Sequence, residues 1–161
     1  MRLFQSDATR LDAYIDLLEE AAEWLWAKGI HQWRPGAHRA ARPKLLAQLQ
    51  RGCLILAEAD GRLAGGCLLT EVAPAVWPDT ATDALYLSGL VVARWAAGQD
   101  LGARILDAAG EAARRLGKAR LRLDCWDGNE FLKAYYRARG FRDMGRTQEN
   151  DYWVRLFERA I

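Results

Sequence analysis

The stretch Leu85-Tyr86-Leu87-Ser88-Gly89-Leu90-Val91-Val92 decides the fold, because a helical pattern and a second strand follow it directly. An apolar run of this length predicts a strand, and residues 93–98 form the loop behind it. The helix then ends at Gly117, and residues 121–125 form the next strand. The apolar residues of this helix recur at helical spacing: Leu101, Ile105, Leu106, Ala109 and Ala113. Strand, helix and strand within about 40 residues make a βαβ crossover, which predicts two parallel strands.

The flanking regions predict the remaining elements. A first helix begins at Ser6 or Asp7 and ends at Gly29, and a shorter one carries Leu45, Leu46 and Leu49. Residues 53–57 and 63–70 are strands joined by Asp60-Gly61, a two-residue turn typical of hairpins. A helix over residues 128–139 and strands over 141–147 and 152–157 complete the chain. This order predicts an α/β fold: a mixed, mostly antiparallel central sheet with a parallel βαβ splay and helices on both faces.

Length and composition indicate one globular domain over residues 1–161. The chain has 161 residues, of which 51% are hydrophobic and 27% charged, enough for one sizeable core. No apolar run is long enough to span a bilayer. The first residues lack the apolar core and cleavage site of a signal peptide, which predicts a cytoplasmic protein.

Charge and cysteine content disfavour several classes of partner. The net charge is +2, and basic residues are interspersed with acidic ones, so neither a nucleic-acid surface nor a membrane surface is predicted. The cysteines are Cys53, Cys67 and Cys125, an odd number without a Cys-x-x-Cys pair. They predict three buried thiols rather than disulfides or zinc, with Cys125 as nucleophile the alternative. No metal site is predicted.

The segment Ala97-Gly98-Gln99-Asp100-Leu101-Gly102-Ala103 joins a strand to the start of a helix. Free N–H groups and the helix dipole favour an anion there, and glycine allows close approach of a phosphate. A tight turn without a ligand is the alternative from spacing alone.

Residues 86–141 resemble the acyl-coenzyme-A-binding core of the GNAT superfamily of N-acetyltransferases. The family's loop Gln/Arg-x-x-Gly-x-Gly/Ala aligns with residues 97–102, after the strand end Leu90-Val91-Val92. The resemblance continues in Asn129, Tyr135-Tyr136 and Gly140-Phe141. In the N-terminal part, Gly29-Ile30 and Gln32-Trp33 resemble a bacterial subgroup with Gly-Ile-x-Gln-Trp after its first helix.

Two loop positions depart from the family pattern. Ala97 stands where Gln or Arg is usual, and Asp100 replaces the central glycine. A carboxylate about 5 Å from a pyrophosphate would cost on the order of 1–3 kcal/mol. Alternatively, Asp100 is a first-turn helix residue whose side chain points to solvent.

The resemblance implies acyl transfer from acetyl-coenzyme A, the acyl-donor co-substrate, to an amine of a small molecule. Residues 90–92 would pair with the pantetheine arm, residues 97–103 would bind the pyrophosphate, and Asn129 would contact the arm. Tyr136 would protonate the departing thiolate, with a core position in the helix as its alternative. For Asn129, the alternative to contact with the arm is a role as the cap of the following helix.

The proton acceptor and the amine pocket are less defined. Ser88 stands where many relatives carry Glu, and serine is no base at neutral pH without help. A water chain to Glu71 or Asp124 is one solution, and an amine that arrives neutral is another. The candidate pocket tryptophans are Trp24, Trp26, Trp33 and Trp77.

Two other functions remain open at this point. A degenerate domain could bind acyl-coenzyme A without turnover, or the tryptophans could form a protein-interaction surface. The expected assembly is a monomer or a homodimer.

Overall fold

The computed structural model describes residues 1–161 and contains one seven-stranded sheet in the order β1-β2-β3-β4-β5-β7-β6. The strands are β1 (Arg2–Ser6), β2 (Gly52–Ala59), β3 (Arg62–Thr70), β4 (Ala84–Val92), β5 (Arg120–Trp126), β6 (Arg142–Glu149) and β7 (Tyr152–Ala160). The helices are α1 (Leu11–Ala27), α2 (Ala37–Ala40), α3 (Arg42–Leu49), α4 (Leu101–Arg115) and α5 (Glu130–Arg137). None of them combines the length and apolarity needed to cross a membrane.

One pair of strands is parallel, as the sequence predicted. Strands β4 and β5 pair over three positions, from Ala84 with Arg120 to Tyr86 with Arg122. Beyond these pairs the two strands separate, while all other neighbours in the sheet are antiparallel. The mixed sheet with a parallel splay is therefore confirmed.

Helices cover both faces of the sheet, as two adjacent glycines of β3 demonstrate. Successive residues of a strand point to opposite faces. A Cβ on Gly65 would lie 3.0 Å from Ile105 of α4, whereas one on Gly66 would lie 3.5 Å from the Tyr14 ring of α1. Hence α1 and α4 pack on opposite sides.

Strand β4 carries a bulge just beyond its parallel segment. Between its pairs with Gly66 and Leu68 of β3, strand β4 has two residues, Gly89 and Leu90, where β3 has one. Such an insertion bends the strand and increases its twist. The bulge therefore lies where β4 leaves β5.

Glycine is required at position 89 by both conformation and space. The φ angle of Gly89 is 62°, in the left-handed region. A Cβ there would overlap the Tyr14 hydroxyl, which donates hydrogen bonds to the carbonyl oxygens of Gly89 (2.6 Å) and Ser88 (3.3 Å). The buried Tyr14 of α1 thus fills the space that a side chain would need.

The structure differs from the sequence prediction mainly at the N-terminus. Strand β1 pairs with β2 at the edge of the sheet and was not predicted, because its short, alternating pattern lies directly before a helix signal. Asp7 caps a 3₁₀ turn over Ala8–Arg10, and α1 begins only at Leu11. The hairpin turn at Asp60 and Gly61 forms as predicted, with positive φ at both residues.

We expect Gly89→Ala to lower the free energy of unfolding by roughly 2–4 kcal/mol, measured by urea denaturation. The left-handed conformation costs about 1–2 kcal/mol for a non-glycine residue, and overlap with Tyr14 adds to it. Gly61→Ala is the control, because Gly61 has φ 73° and no atom within 4 Å of its would-be Cβ; it should lose only about 1–2 kcal/mol. If both variants lose the same free energy of unfolding, the Tyr14 side chain can move aside without cost.

Candidate active site

The separation of β4 and β5 opens a cavity of about 690 Å³. Its wall takes side chains from α1, β4, β5, α5, the segment after α1 and the β6–β7 hairpin. Most lining residues are apolar or aromatic, as is usual for a small-molecule site. The polar and charged ones are Gln32, His38, Ser88, Arg94, Asp124, Asn129, Glu149 and the tyrosines Tyr14, Tyr136 and Tyr152.

A second groove of about 520 Å³ runs beside the loop between β4 and α4. It includes the predicted loop residues Ala97, Gly98, Asp100, Leu101 and Gly102. Gln99 and Ala103 do not line it. The groove and the cavity share four residues: Leu90, Val92, Phe131 and Leu132. The end of β4 and the start of α5 thus form a wall common to both.

The first turn of α4 presents unpaired backbone donors at this groove. The first hydrogen bond at its start runs from the Arg104 N–H to the Asp100 carbonyl oxygen (3.2 Å). The N–H groups of Leu101, Gly102 and Ala103 have no acceptor within the protein, and the Asp100 side chain does not cap them. Free amides at the positive end of a helix dipole form an anion site.

Asp100 does not occupy the first turn of the helix, which corrects that part of the second interpretation, but its side chain is exposed to solvent as that interpretation expected. It precedes α4 with φ 53° and ψ 23°, a left-handed conformation that glycine adopts without strain. Its carboxylate pairs with Arg139 at 3.1 Å. The Arg139 guanidinium in turn lies 3.5 Å from the centre of the Tyr135 ring. A cation therefore already offsets the charge of Asp100.

The two adjacent tyrosines of α5 have different surroundings. Tyr135 lines the groove, and its hydroxyl lies where a Cβ on Gly102 would be. Gly102 therefore serves the packing of α5 on α4. Tyr136 is buried, packs against Phe141 and Phe157, and lines the cavity. Burial raises the pKa of Tyr136 well above that of a free phenol, so it keeps its proton at neutral pH.

Asp124 lines the cavity from β5 and makes neither an ion pair nor a hydrogen bond through its side chain. Burial, reinforced by the nearby Glu149 carboxylate, raises the pKa of Asp124 to about 7. A carboxylate with this pKa exchanges protons near neutral pH, which is the range that a general base needs. The neighbouring Cys125 also lines the cavity, but burial raises the pKa of its thiol to about 12. This disfavours Cys125 as a nucleophile.

Asn129 acts as a helix cap, the simpler of its two predicted roles. Its Oδ1 accepts a hydrogen bond from the Leu132 N–H (3.0 Å) at the start of α5. Its Nδ2 donates to Gln32 Oε1 (3.3 Å) across the cavity. Both polar groups are therefore already engaged within the protein.

Three predicted pocket residues lie elsewhere. Glu71 lies outside the lining of the cavity and pairs with Lys118 at 2.7 Å, which holds its pKa below the usual value. Trp77 packs in a second, smaller core under the Arg122 guanidinium. Trp26 stacks on His31 at the surface, with ring centres 4.5 Å apart. Trp24 and Trp33 do line the cavity.

Several lining residues were not among the predicted site residues. Tyr152 donates a hydrogen bond to Glu149 (2.8 Å) at the tip of the last hairpin, and both face the cavity. Glu149 has no Lys or Arg partner. An acidic residue beside a hairpin turn is too common a signal to have identified them. His38 also lines the cavity, and burial lowers its pKa although Glu19 nearby acts to raise it.

No group of three or more His, Cys, Asp or Glu side chains is arranged to hold a metal ion. The chemical groups of the site are thus the free amides of α4, the unpaired edge of β4, a buried tyrosine and two carboxylates.

Comparison with known proteins identifies this arrangement. The family model of the acetyltransferase (GNAT) family matches residues 18–141. The uncharacterized N-acetyltransferase YesJ of Bacillus subtilis (strain 168) is 32% identical over 151 residues, which are 90% of this chain and 82% of that protein. The chain therefore belongs to the GNAT family of acetyltransferases.

Solved structures show the same fold. A GNAT-family acetyltransferase from Listeria monocytogenes 4b F2365 superposes with a TM-score of 0.77 at 25% identity, covering 99% of this chain and 94% of that one. PaiA N-acetyltransferase from Thermoplasma acidophilum, solved in complex with coenzyme A, superposes with a TM-score of 0.73 at 18% identity, covering 100% of both chains. The mixed sheet with its splay is thus the fold of this family.

Between pH 4 and pH 8, we expect the free energy of unfolding of Asp124→Asn to rise relative to that of the wild type by about 2–4 kcal/mol. Because the pKa of Asp124 is raised on folding, its contribution is present below the unfolded value of about 3.9 and is lost as pH rises towards 7. Urea denaturation across this range measures the effect.

The same pKa can be followed by carboxyl-carbon NMR, with Glu149→Gln as the second arm. Removing the like charge should lower the pKa of Asp124, because burial then raises it without the help of Glu149, against the lowering effect of Lys44. A pKa near 4 in the wild type would show that water reaches this carboxylate freely.

Proposed function

We propose that residues 1–161 form a single acyltransferase domain that moves an acetyl group from acetyl-coenzyme A to the amine of a small-molecule acceptor. The observation that carries the proposal is the shared wall: unpaired helix amides lie on one side of it, and a carboxylate of pKa about 7 lies on the other. Acetyl-coenzyme A supplies the thioester when bound.

The coenzyme site would follow the groove. The amides of Leu101 and Gly102, which line the groove, would donate to the pyrophosphate and so compensate for the lack of a Gln or Arg side chain at Ala97. The edge of β4 beyond Tyr86 has no strand partner on the β5 side. Residues 90–92 would therefore pair with the pantetheine amides as if adding a strand.

The transfer step assigns a role to each polar group of the cavity. Asp124 would accept a proton from the ammonium of the acceptor, which leaves a neutral nucleophile. The amine nitrogen attacks the thioester carbonyl carbon, the C–N bond forms and the C–S bond breaks. An N–H on the free edge of β4 would stabilise the oxyanion, and Tyr136 would protonate the thiolate as the C–S bond breaks. The nitrogen, which is positively charged after attack, would return one proton to the Tyr136 phenolate to leave the neutral amide, and Asp124 would release its proton to solvent. Ser88 also lines the cavity, but its hydroxyl is not a base at neutral pH, so we assign the role of general base to Asp124.

Of the Asp, Glu, Lys and Arg side chains that line the cavity, two are the carboxylates Asp124 and Glu149 and one is Arg94, and this balance favours a cationic acceptor. Glu149 has no Lys or Arg partner and lies close enough to Asp124 to raise its pKa. An ammonium between them would relieve this repulsion. Trp33 supplies aromatic surface against which an apolar or cationic body would pack, whereas Arg94 already lies 3.9 Å from the centre of the Trp24 ring. A cavity of about 690 Å³ suits a small molecule.

A second candidate is a domain that binds the coenzyme without turnover, which Ala97, Asp100 and Ser88 favour. Release of free thiol from acetyl-coenzyme A with a panel of primary amines separates the two. Amine-dependent release establishes transfer. Coenzyme binding without release by any amine establishes the degenerate domain.

We expect acetyl-coenzyme A to raise the melting temperature, because a ligand that binds only the folded state stabilises it by mass action. No shift at millimolar concentration would contradict the coenzyme site.

Asp100→Asn should bind the coenzyme about twofold to tenfold more tightly at low salt, since Arg139 is then free to attract the phosphates. The gain should shrink as salt rises.

Asp100→Gly is the matched variant for backbone effects. Because Asp100 lies before the helix in a left-handed conformation, glycine there should not lower the melting temperature of the free protein. A lower melting temperature would show that the pair with Arg139 outweighs the relief of backbone strain.

Tyr136→Phe should lower kcat by roughly tenfold to a thousandfold and leave the Kd for coenzyme A nearly unchanged, as expected for the loss of a general acid. Tyr135→Phe is the control on the same helix and should change kcat little. Steady-state kinetics and calorimetry measure the two quantities. If Tyr135 is the sensitive residue, the assignment of the acid is wrong.

A further inference from the structure

The segment between α1 and α2, residues 29–36, crosses one side of the cavity and is tied to α1 at both ends. The Ile30 N–H donates to the Leu25 carbonyl oxygen (3.0 Å). At the other end, the Gly36 N–H donates to Oε2 of the buried Glu19 (2.6 Å). Ile30, Gln32 and Trp33 of this segment line the cavity.

Gln32 links the middle of the segment to the opposite wall. Its Oε1 accepts two hydrogen bonds, from the Trp126 N–H (3.1 Å) and from Asn129 Nδ2 (3.3 Å). The orientation of both amides follows from the chemistry. Asn129 Oδ1 accepts from the Leu132 N–H, so Nδ2 must face Gln32. The Oε1 atom of Gln32, and not its Nε2, therefore faces both donors.

The Trp126 N–H lies on the edge of β5 that the splay leaves free. The next N–H, that of Asp127, donates to Trp153 of the β7 side (2.8 Å), and N–H groups alternate along a strand. Pairing of β5 with β4 has already ended at Arg122. Gln32 thus occupies the place of a strand partner at this point.

The second donor, Asn129, caps α5, the helix that carries Tyr136. A single oxygen atom therefore connects three parts of the site: the segment that lines the cavity, the end of β5 two residues beyond Asp124, and the start of α5. Without this oxygen, two donors at the cavity wall would lose their partner.

We propose that Gln32 is a positioning residue for acyl transfer, which holds the acceptor side of the cavity at a fixed distance from Asp124 and Tyr136. The inference rests on the proposed function for the reaction that it serves. Gln32 takes no proton and contacts no reacting atom. It sets the spacing within which the amine must reach the thioester, and small errors in such spacing are costly.

The test compares Gln32→Met, which keeps the length of the side chain and removes the acceptor, with Gln32→Glu, which keeps an acceptor oxygen. With an amine identified by thiol release, Q32M should lower kcat/KM for the amine at least tenfold and change the Kd for coenzyme A less than twofold. Q32E restores the acceptor oxygen but adds a negative charge to the cavity wall near Asp124, so it should lose less kcat/KM than Q32M without fully matching the wild type. Gln50→Met makes the same change at an exposed residue at the end of α3 and should leave kcat/KM for the amine unchanged.

Hydrogen exchange of the Trp126 amide gives a readout that does not depend on catalysis. The amide should exchange at least tenfold faster in Q32M and at the wild-type rate in Q32E. An active wild type whose Q32M variant keeps its kcat/KM overturns the positioning role alone. So does a Q32E variant as impaired as Q32M. A wild type that releases no thiol with any amine overturns the proposed function, and the exchange rates then report only on the hydrogen bond.

Discussion

The hydrogen bond from the Tyr14 hydroxyl to the Gly89 carbonyl oxygen is the contact on which the site depends. It ties the buried face of α1 to the bulge of β4, at the place where that strand diverges from β5. A sheet that stayed paired beyond Tyr86 and Arg122 would have no opening between these strands and no free strand edge. The cavity, its wall and the direction of residues 90–92 follow from this local departure from regular pairing.

Polar groups are distributed unequally across the wall formed by Leu90, Val92, Phe131 and Leu132. The groove side offers the free amides of α4 and the Asp100–Arg139 ion pair, while the cavity side holds Asp124 and Glu149, with Arg94, in mostly apolar surroundings. An anion at the amides and a cation between the two carboxylates would each meet a complementary environment. The proposed transfer between two bound reactants would use this separation.

The sequence predicted the parts of the fold that depend on local pattern and short connections. The βαβ crossover, the Asp60-Gly61 hairpin and the helix over Glu130–Arg137 all have strong periodicity and turn residues. It could not predict β1, whose role as an edge strand depends on pairing with β2, nearly 50 positions further along the chain. The sequence also did not reveal the left-handed backbone conformation of Asp100, because an aspartate just before a helix ordinarily indicates an N-cap residue.

The candidate site was predictable where it lies in the continuous run of residues 86–141 and not where it needs distant segments. Asp124 at the end of the βαβ unit, and Asn129 and Tyr136 at and in the helix that follows, fall within this run and line the cavity. Glu71 has the right chemistry, but Lys118 holds it away from that space. Gln32 and Glu149 come from opposite ends of the chain, and only the packed structure brings them to the same cavity.

The shared wall has a thermodynamic consequence. Because the same four residues border both spaces, a molecule that orders Phe131 or Leu132 from one side changes the surface offered to the other. Phe131 is 75% exposed, so a molecule that ordered its side chain would bear an entropic cost. A second molecule on the other side of the wall would then bind a side chain that is already ordered, and by linkage each occupant would favour the other by the same factor. A wall only one side chain thick would in this way couple the two sites without any change in the fold.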